Sequence, residues 1–116
     1  MVKQVYYAKW VREQQLNPSA LATVHADSDK MAPRIQCGDQ LLVDRSQTDI
    51  ISGRIYVMWY NNRLWVKRFH EQDDGSLLIE ADNSQTMPSV LQLPASLRAQ
   101  AHILGRVVHV QGTAGL

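Results

Sequence analysis

The chain has 116 residues, of which 45% are hydrophobic and 20% charged, and its net charge is +1 at pH 7. This length suits one domain, and the balanced charge lacks the basic footprint of a nucleic-acid-binding domain. No apolar run approaches the roughly 20 residues of a membrane span. Lys3, Lys9 and Arg12 interrupt any signal-peptide pattern. The single Cys37 excludes an internal disulfide. We therefore expect one cytoplasmic domain over residues 1–116, with no membrane contact.

The N-terminal part predicts a short helix followed by a strand. Residues 10–16 are compatible with a helix that ends at Asn17, because the following proline disfavours helical geometry there. Asn17 is a suitable N-cap, and Pro18 a suitable first position, for a second short helical turn. Residues 21–26 mix apolar and β-branched side chains, which is typical of a strand.

From residue 40 onward the pattern is that of β-structure. Asn61 and Asn62 tolerate positive φ and predict a two-residue hairpin turn. Gly105 interrupts the last apolar run and indicates a bulge or a close backbone approach. Residues 82–94 are expected to form a long connection. The sequence therefore predicts a mainly β, compact, barrel-like fold. The strands are expected at residues 41–43, 55–60, 64–66, 77–79 and 102–110.

Several short motifs also occur in the order and spacing of a known family. They are Met31-Ala32-Pro33, Gly38-Asp39, Leu42-Val43-Asp44-Arg45-Ser46, Leu64-Trp65-Val66-Lys67-Arg68, Ala81-Asp82-Asn83 and Ile103-Leu104-Gly105-Arg106-Val107-Val108. Together they resemble the C-terminal domain of the LexA and phage CI repressors, the S24 peptidases. The resemblance implies a LexA C-terminal-like β-rich fold with a short N-terminal helix.

The resemblance also implies a site. In that family, a serine before Met-x-Pro and a lysine in Val-Lys-Arg form a self-cleaving Ser-Lys dyad, in which a neutral amine activates the hydroxyl. Lys67 takes the position of the dyad lysine. The family string Gly-Asp-Ser-Met corresponds here to residues 28–31, which places Lys30 where the serine stands. An amine cannot replace the hydroxyl, so we expect an inactive cleft. An alternative alignment makes Ser28 the nucleophile.

The environment of Lys67 has two interpretations. Strand alternation places Trp65, Lys67 and Phe69 on one face. Local sequence alone favours a solvated strand lysine, whereas the resemblance implies a desolvated one. Because two amines in one cleft repel each other, we expect the Lys30 amine to point away from Lys67 or to be held by a carboxylate. The candidate partners for either amine are Asp27, Asp29 and Asp82.

Other residue patterns indicate no further site. The four histidines have no metal-ligand spacing, so no metal or cofactor is expected. Trp59, Tyr60 and Trp65 cluster around the predicted hairpin. Core or interface packing explains them better than a stacking platform for single-stranded nucleic acid.

We therefore expect the regulatory, dimer-forming domain of a phage- or prophage-type transcriptional repressor. The resemblance implies that DNA is reached only through an N-terminal helix-turn-helix domain absent from this chain, and that a RecA-type co-protease is a partner. Two alternatives are an active Ser28–Lys67 autopeptidase and a stand-alone interaction module. The family cleaves a small-residue pair upstream of the core, and residues 1–9 contain none, while Ala114-Gly115 lies at the wrong end.

The last strand predicts association. Residues 103–110 are apolar on both faces, and a free strand edge of this kind invites pairing with another chain. Members of the resembling family dimerise through this domain. We therefore expect a two-fold homodimer with this strand at or near the interface.

Overall fold

The computed structural model describes residues 17–112, which form a single seven-stranded antiparallel sheet. The spatial order of the strands is β1-β2-β7-β3-β4-β5-β6. The predicted mainly β fold is confirmed, while the helix predicted at residues 10–16 lies outside the described residues. The strands are β1 Leu21–His25, β2 Gln40–Asp44, β3 Arg54–Tyr60, β4 Arg63–Glu71, β5 Leu77–Glu80, β6 Val90–Leu93 and β7 His102–Gln111, with 3-10 helices at Pro18–Ala20 and Ala95–Gln100.

The central strand β3 is buried on both faces, and this divides the core in two. Ile55 and Val57 point to one face of β3, and Tyr56 and Met58 point to the other, as the two-residue period of a strand requires. The first cluster consists of Met31, Ile35, Leu41, Val43, Ile55 and Val57. The second consists of Tyr56, Met58, Phe69, Leu77, Ile79 and Leu93.

The local turn predictions are confirmed. The Asn17 side chain accepts a hydrogen bond from the Ser19 N–H at 3.1 Å, with Pro18 at the start of the 3-10 turn. Asn61 and Asn62 join β3 to β4 with φ values of 53° and 66°. Both residues adopt the left-handed conformation that a two-residue hairpin of this type requires.

Gly105 lies where β7 passes close to β2. A Cβ atom at this position would lie 2.5 Å from the Asp44 carbonyl oxygen and 2.7 Å from Val43 Cγ1. The register against β3 shifts beside it, since Val57 pairs with Gly105 and Met58 pairs with Ile103. The predicted close approach and bulge are therefore both confirmed.

Two expectations about the strands are wrong. Residues 82–94 are not only a connection, because Val90–Leu93 form β6 and pair with β5. The last strand is not a free edge either, because β7 is hydrogen-bonded to β2 on one side and to β3 on the other. In the described sheet the outer strands are β1 and β6. The expected dimer therefore loses the support of a free edge on β7.

Within residues 17–112 there is no helix with the length and apolar character needed to cross a membrane.

Candidate functional site

A cleft of about 470 Å³ lies between the end of β1 with its following turn and the first half of β4. Ser28 and Lys30 line it from the turn, and Lys67 lines it from β4. Met31 and Ile35, which belong to the first hydrophobic cluster, also line it. The structure thus brings all three sequence-predicted site residues to one cleft.

Lys67 is largely buried, with only 8% of its surface exposed. Burial lowers the pKa of Lys67 because the charged amine loses its hydration, and the charges of Lys30 and Arg63 lower it further. The carboxylate of Asp27 opposes this change. Within residues 17–112, no hydrogen bond or ion pair holds the Lys67 amine. Of the two interpretations of this lysine, the desolvated one is confirmed.

A tryptophan separates two cations on the β4 wall of the cleft. Arg63 Cζ lies 4.7 Å from the centroid of the Trp65 ring, and Lys67 Nζ lies 6.0 Å from it. The ring is held in place because Trp65 Nε1 donates a hydrogen bond to the Tyr60 carbonyl at 3.0 Å. Arg63 was not predicted as a cleft residue, although the strand alternation that groups Trp65 with Lys67 also includes it.

The turn that carries Lys30 is fixed through its backbone. The Asn83 N–H donates to the Lys30 carbonyl at 3.0 Å, and Asn83 Nδ2 donates to the Asp29 carbonyl at 2.9 Å. Asp29 Oδ1 accepts from the Cys37 N–H at 2.8 Å. The Lys30 side chain itself is exposed, and no carboxylate among the described residues pairs with its amine. The position of Lys30 at the cleft is therefore set by its main chain.

Two of the three carboxylates expected to pair with a cleft amine form hydrogen bonds with other groups. Asp82 forms a bidentate pair with Arg68, with Nε–Oδ1 at 2.9 Å and Nη2–Oδ2 at 2.7 Å. This hydrogen bonding raises the pKa of Arg68. Asp29 accepts a backbone hydrogen bond, as described above. The expectation that Asp29 or Asp82 pairs with a cleft amine is therefore wrong. Asp27 alone of the three acts on Lys67, and it does so only through its charge.

Comparison with known proteins gives a match over most of the chain. Residues 2–108 match the Peptidase S24-like family. The chain belongs to this family. It is also 35% identical over 89 residues to an uncharacterized HTH-type transcriptional regulator of Haemophilus influenzae. That alignment covers 77% of this chain and 36% of the relative, so the chain matches about a third of that protein's length.

For a Peptidase S24-like chain, the contacts of Ser28 are informative. Ser28 Oγ accepts a hydrogen bond from the Lys30 backbone N–H at 3.4 Å. No hydrogen bond joins this hydroxyl to the Lys67 amine in the part of the chain described. A nucleophile and its base need such contact to exchange a proton. Residues 17–112 also contain no group of three or more His, Cys, Asp or Glu side chains arranged to hold a metal ion.

Proposed function

We propose that the chain is the regulatory and dimerisation domain of an HTH-type transcriptional regulator of the phage-repressor kind, with an S24-like cleft that does not cleave peptide bonds. The family match and the HTH-type relative support the regulatory role. DNA would be bound through a helix-turn-helix domain outside this chain. The present domain would contribute indirectly, by pairing two DNA-reading domains across a two-fold operator.

The proposal that the cleft is inactive is supported by the placement of Lys30. It directly precedes Met31 and lines the same cleft as Lys67. Acyl transfer to a serine hydroxyl gives an ester, which water can hydrolyse. Transfer to the Lys30 amine would give a stable amide and end the reaction after one event. At the position of the family serine, the cleft therefore has no nucleophile that could turn over.

A serine-directed phosphonate probe tests this directly, because labelling needs an activated serine and no substrate segment. We expect no labelling of the unmodified chain, measured by intact mass. Lys30→Ser should become labelled, and the matched control Lys30→Ser/Lys67→Met should not, because it lacks the base. Labelling of the unmodified chain would overturn the proposal.

The alternative enzyme uses Ser28, and its presence in the same cleft favours it as the second candidate. Its test is the intact mass of the full-length protein at alkaline pH, with and without activated RecA as the proposed co-protease. We expect no change in mass. Specific cleavage that Ser28→Ala abolishes would establish the active autopeptidase instead.

The homodimer is proposed on the family resemblance, since β7 has no free edge. Several large apolar side chains are nevertheless exposed, among them Leu104 on β7, which is 40% exposed. Sedimentation velocity over a concentration series around the micromolar range provides the test. We expect a dimer there. A monomer at every concentration would contradict both the dimer and the pairing of DNA-reading domains, and would favour the stand-alone interaction module.

A further inference from the structure

The Lys67 amine has no hydrogen-bond or ion-pair partner among the described residues. The residue is only 8% exposed and lines the cleft, and its amine reaches solvent without a hydrogen-bond or ion-pair partner within residues 17–112. A partly desolvated cation without a protein partner is less favourable than a paired one. An anion entering the cleft would supply the missing partner, and its contact with a charged donor would be stronger than a neutral hydrogen bond.

The charges around the cleft favour an anion. Lys30, Arg63 and Lys67 are cationic, and Asp27 is anionic. With Lys67 protonated, these four side chains sum to two positive charges, which an anion would partly balance. The local charge therefore favours an anion.

The remaining walls favour an apolar body on that anion. Val24, Met31 and Trp65 contribute apolar surface to the cleft. Trp59 and Leu64 line it as well and are 40% and 47% exposed, so these large apolar surfaces are open to solvent. A volume of about 470 Å³ exceeds the space a lone carboxylate needs and falls in the size range of small-molecule pockets.

We propose that this cleft is a binding site for an organic monocarboxylate, whose anionic group contacts Lys67, Lys30 and Arg63 and whose apolar body packs against Trp65 and its apolar neighbours. This inference rests on the proposed function in one respect, that Lys30 stands at the cleft in place of a reactive serine. It goes beyond that function because it gives the inactive cleft a ligand.

Binding should be coupled to proton uptake. A carboxylate beside Lys67 stabilises its charged form and reverses the lowering of its pKa. The other titratable or charged groups that line the cleft are His25, Asp27 and Lys30 from β1 and its turn, and Arg63 from β4. Calorimetry in two buffers of different ionisation enthalpy measures the protons taken up, and a change in the lysine Cε chemical shift identifies Lys67 as the group that gains them.

The experiment titrates the 116-residue chain with hexanoate and with its neutral isostere hexanamide. We expect hexanoate to bind about tenfold tighter, the difference a charge-assisted hydrogen bond makes, and to shift the Trp65 indole resonance. A second arm compares the peptides acetyl-Leu-Asp-Leu-amide and acetyl-Leu-Asn-Leu-amide. Tighter binding of the Asp peptide than of hexanoate would show that the carboxylate comes from a peptide, and weaker binding that it comes from a free small molecule.

Variants assign the binding to the cleft. Lys67→Met keeps the length of the side chain and removes the amine, and we expect it to weaken hexanoate binding about tenfold while leaving hexanamide unchanged. Lys30→Met should weaken it less, because the Lys30 side chain is exposed. The control is Arg54→Gln, an exposed cation that lines a separate concavity beside β7. It should leave binding unchanged.

Equal binding of hexanoate and hexanamide, or hexanoate binding that survives in Lys67→Met, would overturn the carboxylate site. So would loss of binding in Arg54→Gln alone, which would place the ligand in the other concavity. None of these outcomes bears on phosphonate labelling or cleavage, so failure of the ligand site is distinguishable from failure of the proposed function.

Discussion

Two neighbouring cations on β4 have opposite environments. Lys67 is 8% exposed and has no fixed partner within the described residues. The next residue, Arg68, has a side chain that is 25% exposed and forms a bidentate pair with Asp82. The pKa of Lys67 is lowered and that of Arg68 is raised. A paired cation contributes to stability, whereas a buried unpaired one in a cleft is a candidate for chemistry or ligand binding.

The largest effect on stability is expected from breaking the pair between Arg68 and Asp82. Asp82→Ala leaves Arg68 without its carboxylate, and we expect a loss of about 2 kcal/mol in the free energy of unfolding, because hydrogen bonds to charged groups contribute on this scale. Urea denaturation followed by tryptophan fluorescence measures the loss. The control is Asp73→Ala, an exposed carboxylate without a side-chain contact in residues 17–112, which should change stability by less than about 0.5 kcal/mol. Equal losses in the free energy of unfolding for the two variants would show that the pair between Arg68 and Asp82 does not stabilise the fold.

Removing the unpaired cation should instead increase the free energy of unfolding. Lys67→Met removes a buried charge, and we expect a gain on the order of 1 kcal/mol at neutral pH. The folded-state pKa of Lys67 is lowered, so the folded protein binds fewer protons than the unfolded chain at pH values between that pKa and the ordinary value of about 10.4. Wild-type stability therefore rises with pH across this window.

The gain from Lys67→Met should accordingly be complete below the folded-state pKa and disappear near the ordinary lysine value. Urea denaturation over a pH series measures this convergence. Lys30→Met is the control, and its effect on stability should stay within about 0.5 kcal/mol because that side chain is exposed. A loss of stability in Lys67→Met at neutral pH would show that the amine has a structural partner.

The smallest expected effect is the change in the pKa of Lys67 when one of the charges around it is removed. Lys30→Met should raise the pKa of Lys67, and Arg63→Gln should raise it less, because the Lys30 charge lowers this pKa more than the Arg63 charge does. Asp27→Asn should lower it. NMR titration of lysines labelled at Cε resolves these changes, since the chain contains only four lysines. A Lys67 pKa unaffected by Lys30→Met would show that the two amines do not share the cleft electrostatically.

The sequence predicted features that depend on a few adjacent residues. Asn17 caps the first turn, Asn61 and Asn62 form the hairpin, and Gly105 lies at a close approach, each as expected. It did not predict β6, whose four residues are recognised as a strand only through pairing with β5. The expectation of a free edge on β7 was also wrong, because an apolar strand has the same kind of sequence whether another chain or two strands of its own sheet pair with it.

At the cleft, too, features set by neighbouring residues were predictable and contacts between distant segments were not. The motif spacing and strand alternation by themselves determined which residues to examine, namely Ser28, Lys30 and Lys67, and that Trp65 shares a face with Lys67. Only the tertiary structure decided that Asp82 pairs with Arg68 and that Arg63 joins the cleft. Local patterns set backbone conformation and side-chain direction over a few residues, whereas the choice of partner for a charge depends on distances between segments that lie far apart in the chain.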